Sequence, residues 1–218
     1  MDRTDLWKNG RYERYEFVEV IGGNDVGVLL GITGGKITRN YLSELKYSAS
    51  VNYSGVVNEG WIDKTLRVYL VATAKWDANV SERILLGTFR TTTPKRKIES
   101  NTSSYTIEGY SNLILLRNKK VAGTMSFAAG SNTVANVVAL CQSVGLNTRD
   151  IASSHVLSTP YTSEKGATYL SICNDLLSMA NYSGVGVDEF GNAVIAPYVA
   201  AGDKSPSWVF ADDEDGVY

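Results

Sequence analysis

From Tyr12 to about Arg117 apolar and polar residues alternate with a period of two, the mark of strands with one buried face. The segment KYSASVNY is the clearest case. It places Tyr47, Ala49, Val51 and Tyr53 on one face and Lys46, Ser48, Ser50 and Asn52 on the other. YEFVEVI, DVGVLLGIT, TLRVYLVAT, RILLGTFRT and SSYTIEGY repeat the pattern, with Gly, Asn, Asp and Ser clusters between them to turn the chain. Six such strands in roughly a hundred residues predict a small antiparallel barrel or sandwich.

After Val121 the period changes. NTVANVVALCQSVG spaces Val134, Val137, Val138, Cys141 and Val144 for one face of a helix, with Ser131 or Asn132 as N-cap and Gly145 as the stop. A second helix is predicted from Thr168 to Asn181, its apolar stripe formed by Tyr169, Ile172, Cys173, Leu176, Met179 and Ala180. The stretch YSGVGVDEFGNAVIAPY follows as a hairpin turning at Gly191-Asn192, because positions with φ > 0 favour those residue types. Val185 and Val187 are expected to face the second helix, with Asp188, Glu189 and Asn192 in water at the tip. Between the helices LNTRDIASSHVLSTPYTSEKGA reads as an irregular crossing. The expected class is therefore α+β, mainly β: an antiparallel β-barrel domain over residues 1–120, an inserted or appended helix-hairpin α/β module over 121–200, and an acidic C-terminal segment over 201–218.

Composition narrows the classes of function. The chain has 218 residues, 44% hydrophobic and 20% charged, enough to bury a sizeable core. With 21 Lys+Arg against 23 Asp+Glu its formal charge is -2, so no overall field recruits nucleic acid or an anionic membrane. The N-terminal MDRTDLWKNGRYERYEF lacks the apolar core of a signal peptide, and no apolar run approaches the length of a membrane span. Synthesis in the cytoplasm is expected.

Few residues carry a chemical signature. His155 is the single histidine, set in IASSHVLS without a GxSxG motif or an evident third member of a triad, and a loop or strand role is expected for it. Cys141 and Cys173 lie on apolar helix positions rather than in a CxxC pair, which predicts buried free thiols. Neither DEFGN nor ADDEDG (with Asp212 to Asp215) has the spacing of a calcium loop. The basic runs Lys95-Arg96-Lys97 and Arg117 with Lys119 and Lys120 are short, lie beside turns and read as solvated loops. No catalytic, cofactor-binding or metal-binding residue is assigned, and no cofactor is expected. The 13 tyrosines and 4 tryptophans keep a carbohydrate-binding platform open, and a hydrolase using unidentified carboxylates remains a third reading.

Five segments in order bear a likeness to a known family: RYERYEFVEV; GGKITRNYLSELKYSASVNYSG, taken as a Gly-Gly turn leading into a strand; LRVYLVATAKWD with LLGTFRTTTP; YTIEGYSNLILLRN, taken as the strand leaving the barrel; and GATYLSICNDLLSMANYSGVGVDEFGNAVIAPY. Together they resemble the tail-tip or baseplate hub proteins of tailed phages, related in fold to contractile-tail hubs and to the spike base of type VI secretion. The resemblance implies a non-enzymatic virion protein of the tail tip, made in the host bacterial cytoplasm and assembling as a homotrimer. Its implied partners are the distal tail protein, the tape-measure protein and a central fibre or spike, with DNA passing only through the lumen. In that family an α/β module is inserted into the first barrel before the chain returns to it, and PSWVFADDEDGVY is the expected start of that return. Complete hubs carry a second barrel and further domains, so the resemblance leaves open a short hub or a piece of a longer one. The alternative is a non-catalytic cell-surface carbohydrate-binding module.

Overall fold

The structure is a computed structural model that describes residues 3–8, 10–54, 63–99, 102–150 and 153–205. A short helix, α1 (Arg3–Lys8), precedes eight strands: β1 (Arg11–Ile21), β2 (Asn24–Val28), β3 (Ile32–Arg39), β4 (Tyr47–Ser54), β5 (Thr65–Ala74), β6 (Ser81–Thr91), β7 (Lys95–Glu99) and β8 (Thr102–Tyr110). All pair antiparallel in one sheet of order β2-β1-β5-β6-β8-β4-β3, with β7 also on β8.

The expected closed barrel is not formed by this ladder. Among the described residues no backbone pairing joins the two end strands, β2 and β3. The sheet also narrows where β6 meets β8, which it does only at Arg90↔Tyr110 and Thr91↔Gly109. Two half-sheets therefore hinge at that corner and fold over a shared interior of Phe17, Ala49, Val51, Val68 and Phe89. At the opposite side the covalent chain takes the place of a ladder. Leu29 donates its N–H to the Phe17 carbonyl, continuing the β1 pairing, and Ser54 donates to the Gly31 carbonyl, continuing the β4 pairing. Gly31 permits this switch of partner, with φ +89° and the position of a Cβ only 2.7 Å from the Ser54 carbonyl oxygen.

Three further differences from the sequence pattern arise in this part. DVGVLLGIT divides into β2 and the start of β3, because its alternation hides the bend at Gly31. Gly34 and Gly35 lie inside β3 rather than in a turn. The Lys95 run forms β7, a charged edge strand rather than a loop, consistent with lysine's use in discouraging edge-to-edge pairing. Of YTIEGYSNLILLRN, read as the strand leaving the barrel, YTIEGY does form the end of β8, while its last part becomes α2 (Ile114–Asn118), which buries Ile114 and Leu116.

That module contains β9 (Ser126–Phe127), α3 (Thr133–Ser143), β10 (Thr148–Asp150), β11 (Tyr161–Thr162), α4 (Tyr169–Met179), β12 (Gly186–Val187) and β13 (Ala193–Ile195), then a 3-10 turn at Ala201–Asp203. Local capping sets the helix ends as the sequence predicts. Asn132 Oδ1 accepts from Ala135 N at 2.8 Å, Thr168 Oγ1 accepts from Ser171 N at 3.1 Å, and Gly145 adopts φ +75° just beyond α3. On α4 the buried residues are Leu170, Ile172, Cys173, Leu176 and Leu177, while Met179 is 42% exposed. The stripe is therefore wider on its Leu170/Leu177 side than the sequence suggested. It faces α2 and α3 together, and one continuous apolar core runs from Phe89 in the sheet to Ile195 in the module. No described helix is long and apolar enough to cross a membrane.

Candidate functional site

The β12-β13 hairpin ends in a turn built by its own carboxylate. Asp188 Oδ1 accepts from Asn192 N at 2.8 Å, its Oδ2 accepts from Asn192 Nδ2 at 3.0 Å, and Arg149 lies 3.7 Å from Oδ2. Asp188 is thus 9% exposed rather than in water, and its oxygens are spent on turn geometry. Glu189 is exposed as expected and Asn192 is half-buried. Val185 and Val187 are buried in the core, with Val185 N also donating to Asn174 Oδ1 of α4 at 2.9 Å.

The tip does more than turn. Thr88 Oγ1 of β6 donates to the Glu189 carbonyl at 2.7 Å, Asn112 Nδ2 donates to the Gly191 carbonyl at 2.9 Å, and the Phe190 ring lies 5.8 Å from the Arg67 guanidinium. The tip therefore docks on the outer face of the sheet. A groove of about 570 Å³ remains beside it, walled by Arg67, Thr88, Arg90, Asn112, Asn147 and Phe190. Both arginines there have acidic partners, Asp25 at 2.7 Å from Arg67 and Asp63 at 3.4 Å from Arg90.

Asp25 anchors β2 to this face through a network that sequence spacing does not reveal. It accepts from Arg67 at 2.7 Å and from the Tyr69 hydroxyl at 2.8 Å. Arg83 stacks over the Tyr69 ring at 3.5 Å and pairs with Glu16 at 2.9 Å. Burial tends to raise the Asp25 carboxyl, but the hydrogen bonds from Tyr69 and Arg67 and the charges of Arg67 and Arg83 outweigh it, holding the group below the ordinary aspartate range. A depressed folded-state value means the network stabilises the fold above the unfolded value and loses that contribution as pH falls through the folded one. Thermal unfolding should therefore show wild-type Tm falling as pH drops below about 4, and falling less steeply in Asp25→Asn. Parallel profiles for the two proteins would refute the assignment.

The candidate nucleophiles are used structurally. His155 Nδ1 shares a hydrogen bond with Thr133 Oγ1 at 3.0 Å, and its carbonyl accepts from Thr133 N at 3.0 Å, tying the crossing segment to the start of α3. Cys141 and Cys173 are free and buried, as their positions predicted. Of the second basic run, Arg117 lies 3.3 Å from Glu44, and Lys119 and Lys120 form backbone links to the start of α4. Among the described residues no group of three or more His, Cys, Asp or Glu is placed to hold a metal ion. The acidic Asp212 to Asp215 segment lies outside the described residues.

One surface was not anticipated from the sequence. β1 pairs with β2 only from Val18 onward, and β3 pairs with β4 alone, so the edge of β1 before Phe17 and the outer edge of β3 both lack a strand neighbour among the described residues. Between them lies a cleft of about 480 Å³ with Phe17, Ile32, Ile37, Ala49, Val51 and Leu86 in its walls and Tyr15 and Lys36 at its mouth. Arg39 reaches across to the Leu86 carbonyl. Two edges without a strand partner among the described residues, flanking an apolar cleft, have the geometry to take one further strand.

No protein-family model matches the sequence, and no curated protein matches it. Solved structures do match in fold. The prophage MuSo2 43 kDa tail protein from Shewanella oneidensis aligns with a TM-score of 0.59 at 15% identity, over 83% of this chain and 52% of that one. A tail protein from Neisseria meningitidis MC58 aligns with a TM-score of 0.58 at 10% identity, over 83% and 50%. The chain has the fold of these tail proteins. A chain of the Francisella PdpA-VgrG complex shares that tail-protein fold more loosely, with a TM-score of 0.50 at 6% identity, over 88% of this chain and 29% of that one. The chain thus spans about half the length of the two tail proteins it matches.

Proposed function

We propose that the chain is a non-enzymatic structural component of a phage or prophage tail tip or baseplate, forming a hub that joins the tail tube or distal tail ring to a central fibre or spike. The observation that carries this reading is the shared fold with two tail proteins across 83% of the chain. The structural use of His155, Cys141 and Cys173 is in keeping with work done by shape rather than by bond-making. In this reading the protein assembles as a homotrimer around a lumen, meets the distal tail, tape-measure and fibre or spike proteins, and resides at the virion tail tip.

The same reading closes the open barrel. In it the helix-hairpin module is an insertion, and the chain after residue 205 returns to complete the barrel. The apolar walls of the cleft between β1 and β3, whose facing edges have no strand partner among the described residues, support this arrangement.

Two measurements test the proposal. Light scattering of the purified protein should give three chain masses, and a monomer at every concentration would rule out a self-assembling hub. Antibody raised against the chain should decorate the tip of assembled tails in electron micrographs. Decoration along the shaft, or of the host surface alone, would overturn the tail-tip location.

A further inference from the structure

The two cysteines are 32 positions apart in sequence yet occupy facing stripes of the packed helices α3 and α4, both 0% exposed and in the same apolar core. Their neighbours fix the geometry. On α3, Val137, Leu140 and Cys141 share the buried side, and on α4, Ile172, Cys173, Leu176 and Leu177 do. Packed helices lie about 8–10 Å apart with Cα atoms on a cylinder of radius about 2.3 Å, so directly facing Cα atoms can approach to roughly 3.4–5.4 Å. That range overlaps the short end of the span of a disulfide, about 4.4–6.8 Å between Cα atoms. The two side chains are in hydrogen-bonding contact: the bond that the Cys173 thiol donates to Cys141, and then burial, hold the Cys173 thiol well above its ordinary value. It therefore stays protonated and unreactive while the core is closed.

We propose that Cys141 and Cys173 form an oxidisable pair that closes to a disulfide between α3 and α4 when the protein moves from a reducing to an oxidising compartment. The step balances simply. Each thiol gives up one proton and one electron, the S–S bond forms, and a two-electron oxidant such as a disulfide or a diazenedicarboxamide takes up both electrons and both protons. Because the pair is buried, closure requires local opening of the module and is slow in the folded state. The bond would staple two helices that otherwise meet only through side chains, across a long enough loop to restrict the unfolded chain.

The test uses the full chain. After incubation with diamide at a denaturant concentration just below the unfolding transition, intact mass should fall by about 2 Da and return with dithiothreitol. As the sequence has 2 cysteines, an intramolecular bond can join only this pair. The oxidised protein should melt roughly 5–10 °C higher than the reduced one, a difference that reductant abolishes. Cys141→Ala and Cys173→Ala should show neither change. An unaltered mass, with both thiols alkylated on full unfolding, would overturn the proposal, as would oxidation yielding only disulfide-linked dimers. A mass loss without the rise in Tm would refute stapling of the native helix pair.

Discussion

Phe89→Ala should destabilise the protein by about 3–5 kcal/mol, lowering Tm by roughly 8–15 °C. Phe89 is 1% exposed and lies where the half-sheets meet, beside the β6-β8 corner. Its ring sits 3.0 Å from where a Cβ on Gly87 would be, and its own Cβ lies 3.1 Å from the corresponding position on Gly109. Backbone on both strands has closed in around the ring, so truncation leaves a cavity that rigid neighbours fill only partly. With few ladder bonds at the corner, the apolar contact is what keeps the halves folded together. Chemical denaturation gives the value, and a loss below about 1 kcal/mol would mean that the sheet does not close around this side chain.

The second large effect is expected at the hairpin tip, where Gly191→Ala should cost about 2–4 kcal/mol. Gly191 has φ +86°, and an added Cβ would fall 2.5 Å from Asn112 Nδ2 and 3.1 Å from Thr88 Cβ. Left-handed backbone alone costs an alanine roughly 1–2 kcal/mol. The clash adds to this by displacing Asn112, whose amide binds the Gly191 carbonyl. Gly123→Ala is the natural control, since nothing lies within 4 Å of its added Cβ. Hydrogen exchange should show faster opening of β12 and β13 in the Gly191 variant. Equal Tm for the two variants would show that the tip is not a docking element.

The contrast between these sites explains what a hub would gain from such a construction. A lone hairpin is marginal in water, and this one is held by α4 beneath it and by Thr88 and Asn112 beyond its tip. Force applied to the module is therefore passed to the sheet through packed apolar side chains and two directed hydrogen bonds. A rigid joint of this kind suits a protein whose proposed work is geometric.

Sequence alone determined the features that depend on near neighbours. The alternation of KYSASVNY specified β4, Asn132 and Thr168 specified the helix starts, Gly145 a helix end, and Gly191-Asn192 the hairpin turn, because caps, turns and burial periodicity act over a few residues. The same local logic made the cysteines core residues and left His155 in a loop. Tertiary structure decided what depends on distant partners. Gly34 and Gly35 entered β3 because β4 lay alongside, and Lys95 to Glu99 became a strand because β8 offered an edge. Asp188 was read as solvated since its charge fits a turn tip, but the tip docks on the sheet and its carboxylate closes the turn from within. The network around Asp25 joins β2, β5 and β6 over separations that no spacing rule spans. The edges of β1 and β3 that lack a strand partner among the described residues were equally hidden, since alternation shows which face of a strand is buried and carries no information about which edge is paired.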